Sequence, residues 1–297
     1  MRVFLTGATG FVGSRIVPAL LAEGHEVLGL ARSASGVRQL ESAGARAHFG
    51  TIEDLKSLQE GAERADAVIH TAFDHDFANY AANCEKDSRA ITALGAALRG
   101  SDRPLIVTST TVLGNSGNGE PALETVFNLN APIPRVATEK AARAVLASGV
   151  DVRIVRLPQV HDECRQGLIT YFIEHARVSG LAAFVDEGKD GWSAAHITDV
   201  ATLFAAVLQR GARGETYHAV AEPGVAFRDI AAAVSAGLGV PLVSLPPHEA
   251  ERHFGWLSLY IGKHGAATSD WTQARLGWEP TGPSLTADLN AMYRAQR

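Results

Sequence analysis

The chain has 297 residues and a net charge of −5 with no basic block; it can bury a sizeable core, as one large domain or two, and does not suit nucleic acid as its main partner. No uninterrupted apolar stretch reaches the length of a bilayer span, and a strand-forming run begins at Arg2, where a signal peptide would have to lie. Two cysteines, Cys84 and Cys164, are too few for a disulfide framework or a zinc site, so a cytoplasmic protein with a small-molecule partner, no membrane and no metal is expected.

The N-terminal stretch RVFLTGATGFVG opens with Arg2–Thr6, an apolar run of the length and composition of a buried parallel strand. Gly7, Gly10 and Gly13 follow at three-residue spacing, and apolar residues then recur at helical intervals over 11–21. A strand, a glycine turn and a helix start make an anion site. Gly7 permits the tight turn, Gly10 lets backbone approach a pyrophosphate, and Gly13 lets helix and strand pack closely. Free N–H groups and the helix dipole favour the negative charge. Thr9, Phe11 and Val12, between and beside these glycines, are expected to contact the same dinucleotide.

Further on, 25–31 reads as a second strand after Gly24 closes the first helix. A helix over 34–43, a strand over 45–49 and a helix over 52–62 come next. Strand four covers 65–72, a long helix 77–98 and strand five 104–109. A loop at 114–119 leads to a helix over 135–148 and to a sixth strand, Asp151–Leu157. This alternation predicts right-handed crossovers: an α/β fold with a doubly wound parallel (Rossmann) sheet of six or seven strands. Past Pro158 the pattern is less regular, with helices over 168–179, 196–209 and 227–237. It also has strand-like stretches at 182–185, 217–220 and 240–247, and a last helix after LGWEP (276–280). The expected division is 1–160 for the dinucleotide domain and 161–297 for a smaller substrate lobe, with 196–215 returning to the sheet.

The end of strand two selects the cofactor. An acidic residue there would bind the ribose 2′-hydroxyl of NAD. Here the strand runs into Arg32 and Ser33 with no carboxylate. Arg32 can pair with a 2′-phosphate and Ser33 can hydrogen-bond to it, so NADP is expected.

The GxxGxxG spacing and the motifs after it resemble the short-chain dehydrogenase/reductase superfamily in its extended and atypical branches. The likeness runs through nearly the whole chain and is nearest to bacterial proteins labelled NAD(P)-dependent epimerases or dehydratases. It implies that Thr51 and Ile52, after Gly50, stand near the adenine, where the family often has an aspartate. By the same resemblance Thr71, Ala72 and Phe73 line the cofactor at the end of strand four. Leu157, Pro158 and Val160 would hold the nicotinamide carboxamide after strand six. The family's hydroxyl residue corresponds to Ser109 in VTSTTVLG, and its lysine to Lys140 in RVATEKAA; that lysine type suits a solvated helix face equally well. Four residues before Lys140, where the family has its tyrosine, stands Val136, which has no proton to give.

Asp87 matches a residue that supports the lysine from the long helix, or is a surface carboxylate. His161, two residues beyond Gln159, is a candidate general acid or a histidine bonded within its loop. His196 and Asp199 match the family's H-x-x-D step, Asp199 as an N-cap to the next helix and His196 as a tie between lobes. Trp192, Phe254, Trp256 and Tyr260 could line an apolar substrate pocket or form plain core. Tyr171 and Tyr260 are the nearest substitutes for the missing phenol. The resemblance also implies a homodimer through the helices near 78–98 and 135–148.

Three readings follow. The first is an NADP-dependent oxidoreductase acting on the carbonyl or alcohol of a small organic substrate, with Ser109, Lys140 and His161 as catalytic candidates. A sugar-nucleotide epimerase or dehydratase is its variant. The third, from a different class, is an NADP-binding sensor that has lost catalysis.

Overall fold

A computed structural model describes residues 1–295. The first half alternates strand and helix: β1 (Arg2–Thr6), α1 (Gly13–Ala22), β2 (Glu26–Ala31), α2 (Ala34–Ser42), β3 (Arg46–Phe49), α3 (Leu55–Glu63), β4 (Ala67–His70), α4 (Tyr80–Leu98), β5 (Pro104–Thr110), α5 (Val136–Ala147) and β6 (Asp151–Leu157). The second half contains β7 (Gln159–His161), α6 (Gly167–Ser179), β8 (Ala182–Val185), β9 (Gly191–His196), α7 (Ile197–Arg210), β10 (Thr216–His218), β11 (Glu222–Ala226), α8 (Phe227–Leu238), β12 (Leu242–Leu245), α9 (Pro247–Phe254), α10 (Asp270–Leu276) and α11 (Leu285–Arg294).

Seven strands form one parallel sheet in the order β10-β6-β5-β4-β1-β2-β3. Its central strands are buried on both faces, which is why they read as continuous apolar runs rather than alternating ones. One face carries α1, α2 and α7 over a core that includes Ile16, Leu20, Leu40 and Phe204. The other carries α3, α4 and α5 over Phe4, Leu58, Ile91 and Val145. The doubly wound α/β architecture is therefore the one expected. Strand order reverses between β1 and β4, and a crevice opens outside the carboxyl ends at such a point.

The smaller lobe adds a three-stranded sheet (β11-β9-β7) and a parallel pair (β12-β8) around a separate core of Phe172, Trp192, Phe227 and Leu289. The apolar 182–185 stretch is β8. Five elements had no counterpart in the sequence reading: β7, β9, β11, α9 and α10. The chain also returns to the sheet, since α7 packs on α1 and β10 pairs with β6. No helix among the described residues is long and apolar enough to cross a membrane.

Candidate active site

A cleft of about 610 Å³ runs along the carboxyl ends of β1 to β6 and is bordered by the smaller lobe through Arg165, Leu168, Tyr171 and Tyr260. At its centre lies the 7–13 turn. Gly7 has φ of 73°, and a Cβ there would sit 2.7 Å from the Ala72 backbone nitrogen. At Gly13 a Cβ would stand 2.1 Å from the Gly7 carbonyl oxygen. Around Gly10 a Cβ would meet Gly7 O at 3.1 Å and nothing else within van der Waals reach, so this glycine opens onto the cleft. Helix α1 follows at once: the N–H groups of Ser14, Arg15 and Ile16 bond to Gly10 O and Val12 O, while those of Phe11, Val12 and Gly13 donate to no protein acceptor among the described residues. This cradle fits the pyrophosphate of a dinucleotide.

Thr9, Phe11, Val12, Arg32, Thr51, Ile52, Thr71, Ala72, Phe73, Leu157, Pro158 and Val160 all line this cleft. Ser33 does not. Its Oγ caps α2, accepting from Gly36 N at 3.2 Å, and shares a hydrogen bond with Ser35 Oγ at 2.9 Å. Near Arg32 the sequence reading missed Lys86, which bridges Glu53 (2.6 Å) and Asp74 (2.8 Å) at the cleft wall. Lys86, the Asp76 backbone and Arg32 together hold the Asp74 carboxyl below the usual carboxylate range.

At the other end of the cleft α5 presents a different face from the one expected. Lys140 is exposed and lies outside the cleft lining. Val136 packs against Leu113, Ala131 and Ile133. The residues that turn inward stand one position earlier, Arg135 and Glu139, four apart and therefore on one face. Arg135 lines the cleft. Its guanidinium reaches Asp87 Oδ2 (3.3 Å), donates to Thr108 O (3.1 Å) and lies 3.9 Å from the centre of the Phe73 ring.

Asp87 is buried and also accepts from Thr138 Oγ1 at 2.6 Å, with His70 at 3.1 Å. Burial alone would raise its carboxyl; Arg135, His70 and Thr138 outweigh that and hold it low. Asp87 thus supports a charged residue of α5, but that residue is Arg135. Glu139 is fully buried between Arg156, at 2.7 and 2.9 Å, and the Ser109 hydroxyl, which donates to it at 2.8 Å. Ser109 lines the cleft, as expected, with its proton already committed.

The remaining expectations divide. His161 is fully buried in β7, bonded through Nδ1 to Asp288 at 2.7 Å and absent from the cleft lining. Burial pushes its pKa down, and it does not face the substrate side. His196, not Asp199, caps α7 through its side chain. Asp199 instead accepts from the Thr281 and Gly282 backbones at 2.9 Å, fastening the segment before α11. His196 ends β9 of the smaller lobe and approaches Asp288 of α11, which packs on the same lobe, at 3.7 Å.

Trp192 and Phe254 belong to the lobe core. Trp256 stacks on Phe77 at 4.2 Å and Tyr171 meets both rings edge-on, forming an aromatic wall. Tyr80, which the sequence did not single out, shares a 3.0 Å hydroxyl contact with Tyr260, and Phe77, Tyr80, Tyr171 and Tyr260 all line the cleft. Among the described residues no group of three or more His, Cys, Asp or Glu side chains is placed to hold a metal.

Comparison with known proteins agrees with this geometry. The sequence profile of the NAD dependent epimerase/dehydratase family matches residues 3–220. An uncharacterized protein of Schizosaccharomyces pombe is 42% identical over 290 residues, 97% of this chain and 98% of its own. The 2'-dehydrokanamycin reductase of Streptomyces kanamyceticus is 28% identical over 295 residues, 92% of this chain and 76% of its own. A UDP-glucose 4-epimerase of Thermus thermophilus, solved in complex with NAD, superposes with a TM-score of 0.74 at 22% identity over 99% of each chain. That last likeness concerns the fold.

Proposed function

The chain belongs to the NAD dependent epimerase/dehydratase family, and we propose that within it the protein is an NADP-dependent oxidoreductase. It would move a hydride between the nicotinamide and the carbonyl or alcohol carbon of a small organic substrate. The observation that carries this reading is the single cleft that joins a pyrophosphate cradle, the Arg32 guanidinium, a second guanidinium at Arg135 and an apolar aromatic wall. A nicotinamide bound beyond Pro158 supplies or accepts the hydride.

The protein's own part is position and charge. Gly7, Gly10 and the start of α1 hold the pyrophosphate, and Arg32 the 2′-phosphate. Arg135 is permanently charged, so it donates hydrogen bonds but gives up no proton. Fixed by Asp87, Thr108 and Phe73, it supplies a preorganised positive charge for negative charge growing on a substrate oxygen. Ser109, its proton spent on Glu139, faces the substrate as an acceptor and orients an alcohol hydroxyl.

The test is consumption of NADPH against a panel of ketones and aldehydes, with turnover expected. A dinucleotide-binding sensor is the second reading, favoured by an α5 that turns neither a tyrosine nor a lysine to the cleft; binding without consumption in that assay would establish it. The proposal includes a cytoplasmic homodimer, whose helices are considered below.

A further inference from the structure

A carbonyl reductase must deliver a proton, and α5 has none to give, since Val136 packs away and Arg135 keeps its own. The cleft lining also carries two phenols. Tyr80 is the first residue of α4, and Tyr260 follows the 3₁₀ turn Gly255–Leu259 of the smaller lobe. Their hydroxyl oxygens lie 3.0 Å apart, and both side chains line the cavity. Phe73 ties them to Arg135: it lies under the guanidinium and meets Tyr80 edge-on at 6.2 Å.

We propose that Tyr260 is the proton donor of the reaction, that Tyr80 is the positioning residue bonded to it, and that Arg135 steadies the phenolate left behind. This rests on the oxidoreductase reading above. The contact between the two hydroxyls uses one of their two protons and leaves the other for the cleft. Burial raises both phenols, so each is neutral at physiological pH. Either hydroxyl can donate in this contact, so whichever phenol gives up its proton accepts from the other. The loss is assigned to Tyr260, which reaches the cleft from the smaller lobe, and paired variants separate it from Tyr80. Arg135 favours the phenolate at either position. Of the titratable groups nearby, Cys84 of α4 stays a neutral thiol, pushed up to about 11 by burial, and His75, in contact with Phe73 and Phe77, is lowered by burial and by the Arg135 charge.

The step balances with a reduced nicotinamide dinucleotide as reductant. A C–H bond forms at the carbonyl carbon and the C=O π pair moves onto oxygen. That oxygen takes the Tyr260 proton as the phenolic O–H bond breaks. The dinucleotide is oxidised, the carbonyl is reduced, and water reprotonates the phenolate.

A merely structural latch makes a different forecast. Tyr260→Phe and Tyr80→Phe each remove the same hydrogen bond, so a latch predicts equal effects. As a donor, Tyr260 predicts unequal ones. With nitrobenzaldehyde and acetylpyridine as probes, Tyr260→Phe should lower kcat about a hundredfold to ten-thousandfold, the usual worth of general acid catalysis. Tyr80→Phe should lower it at least tenfold less, because it costs only a bond to the developing phenolate. NADPH affinity by calorimetry and melting temperature should match between the two variants. Equal losses, or an undiminished Tyr260→Phe, overturn the proposal.

A second readout needs no turnover. A fluorinated tyrosine placed at position 260 should ionise at higher pH when Tyr80→Phe is added, followed by fluorine NMR with NADP bound. An unmoved ionisation overturns the proposal as well. If the parent reduces neither probe, the oxidoreductase reading is what suffers, and the titration alone decides the donor pair.

Discussion

Arg32 lines the cleft at the end of β2, and no ion pair among the described residues engages it. Its charge is therefore available to a ligand phosphate. We expect NADPH to bind at least tenfold more tightly than NADH, about 1.4 kcal/mol, the size of one charge-assisted contact. Arg32→Asp should reverse the order, by repelling the phosphate and accepting the ribose hydroxyl; equal parent affinities by calorimetry would refute the assignment. Arg135 is a different kind of residue, since its partner Asp87 is almost wholly buried. Arg135→Met would leave that carboxylate short of its cation, a loss of about 3–5 kcal/mol for a broken buried pair. Arg135→Lys keeps a charge but cannot span Asp87 and Thr108 O as a planar fork does. It should recover most of the stability in urea melts and little of the reduction rate, and the reverse pattern would remove Arg135 from the chemistry.

At the scale of elements, α5 shows where a sequence stops being informative. The strands were legible because parallel strands buried on both faces are apolar throughout, and the glycine turn because its sterics leave few alternatives. Helix phase is harder to read. Over 135–148 several registers place small residues inward, and the lysine drew attention to a face that proves to be solvent. The signal that could have found the true face was the Arg135 and Glu139 pair, opposite charges four apart beside the Ser109 strand. In the smaller lobe, α9 (PHEAERHF) is too polar to stand out, and β9 (GWSAAH) has no β-branched residue to mark it as a strand.

The α5 register has a direct test. Val136→Tyr places a phenol in the packed cluster of Leu113, Ala131 and Ile133 rather than at the cofactor. It should cost about 1–3 kcal/mol by overpacking and bring no gain in NADPH-dependent reduction; a stable variant that reduces ketones faster would restore the expected register. The same helices bear on assembly. Ala90 and Ala142 are spent on the sheet, while Ala81, Ala82 and Ala144 are exposed and free for close helix approach in a homodimer. Light scattering at micromolar concentration should give the dimer mass, and a monomer mass would contradict the proposal.

Across the whole molecule, the edge of the sheet shares core with the C-terminal segments, Tyr217 and Ala219 packing in one cluster with Leu276 and Trp278, and polar ties add to it, His218 of β10 among them. Its backbone N–H donates to Thr272 Oγ1 of α10 at 2.9 Å, and its ring lies between Thr268 O (2.8 Å, at Nδ1) and Arg156 Nη1 (3.3 Å, at Nε2). A carbonyl only accepts and a guanidinium only donates, so Nδ1 carries the proton and Nε2 is bare. Burial, with the Arg156 charge behind it, lowers the His218 pKa to about 3. The unfolded chain titrates this histidine near pH 6.5. Between those two values the unfolded state therefore holds a proton that the native state does not. Stability should be level in this respect above about pH 6.5 and fall by about 1.4 kcal/mol per pH unit below it. His161, His175 and His253 are also lowered by burial and steepen the fall. His218→Gln keeps a donor and an acceptor but cannot titrate. Urea melts should find it weaker than the parent at neutral pH, with its loss on acidification smaller by about one proton's slope; an unchanged slope would mean that His218 is not the group that couples this junction to pH.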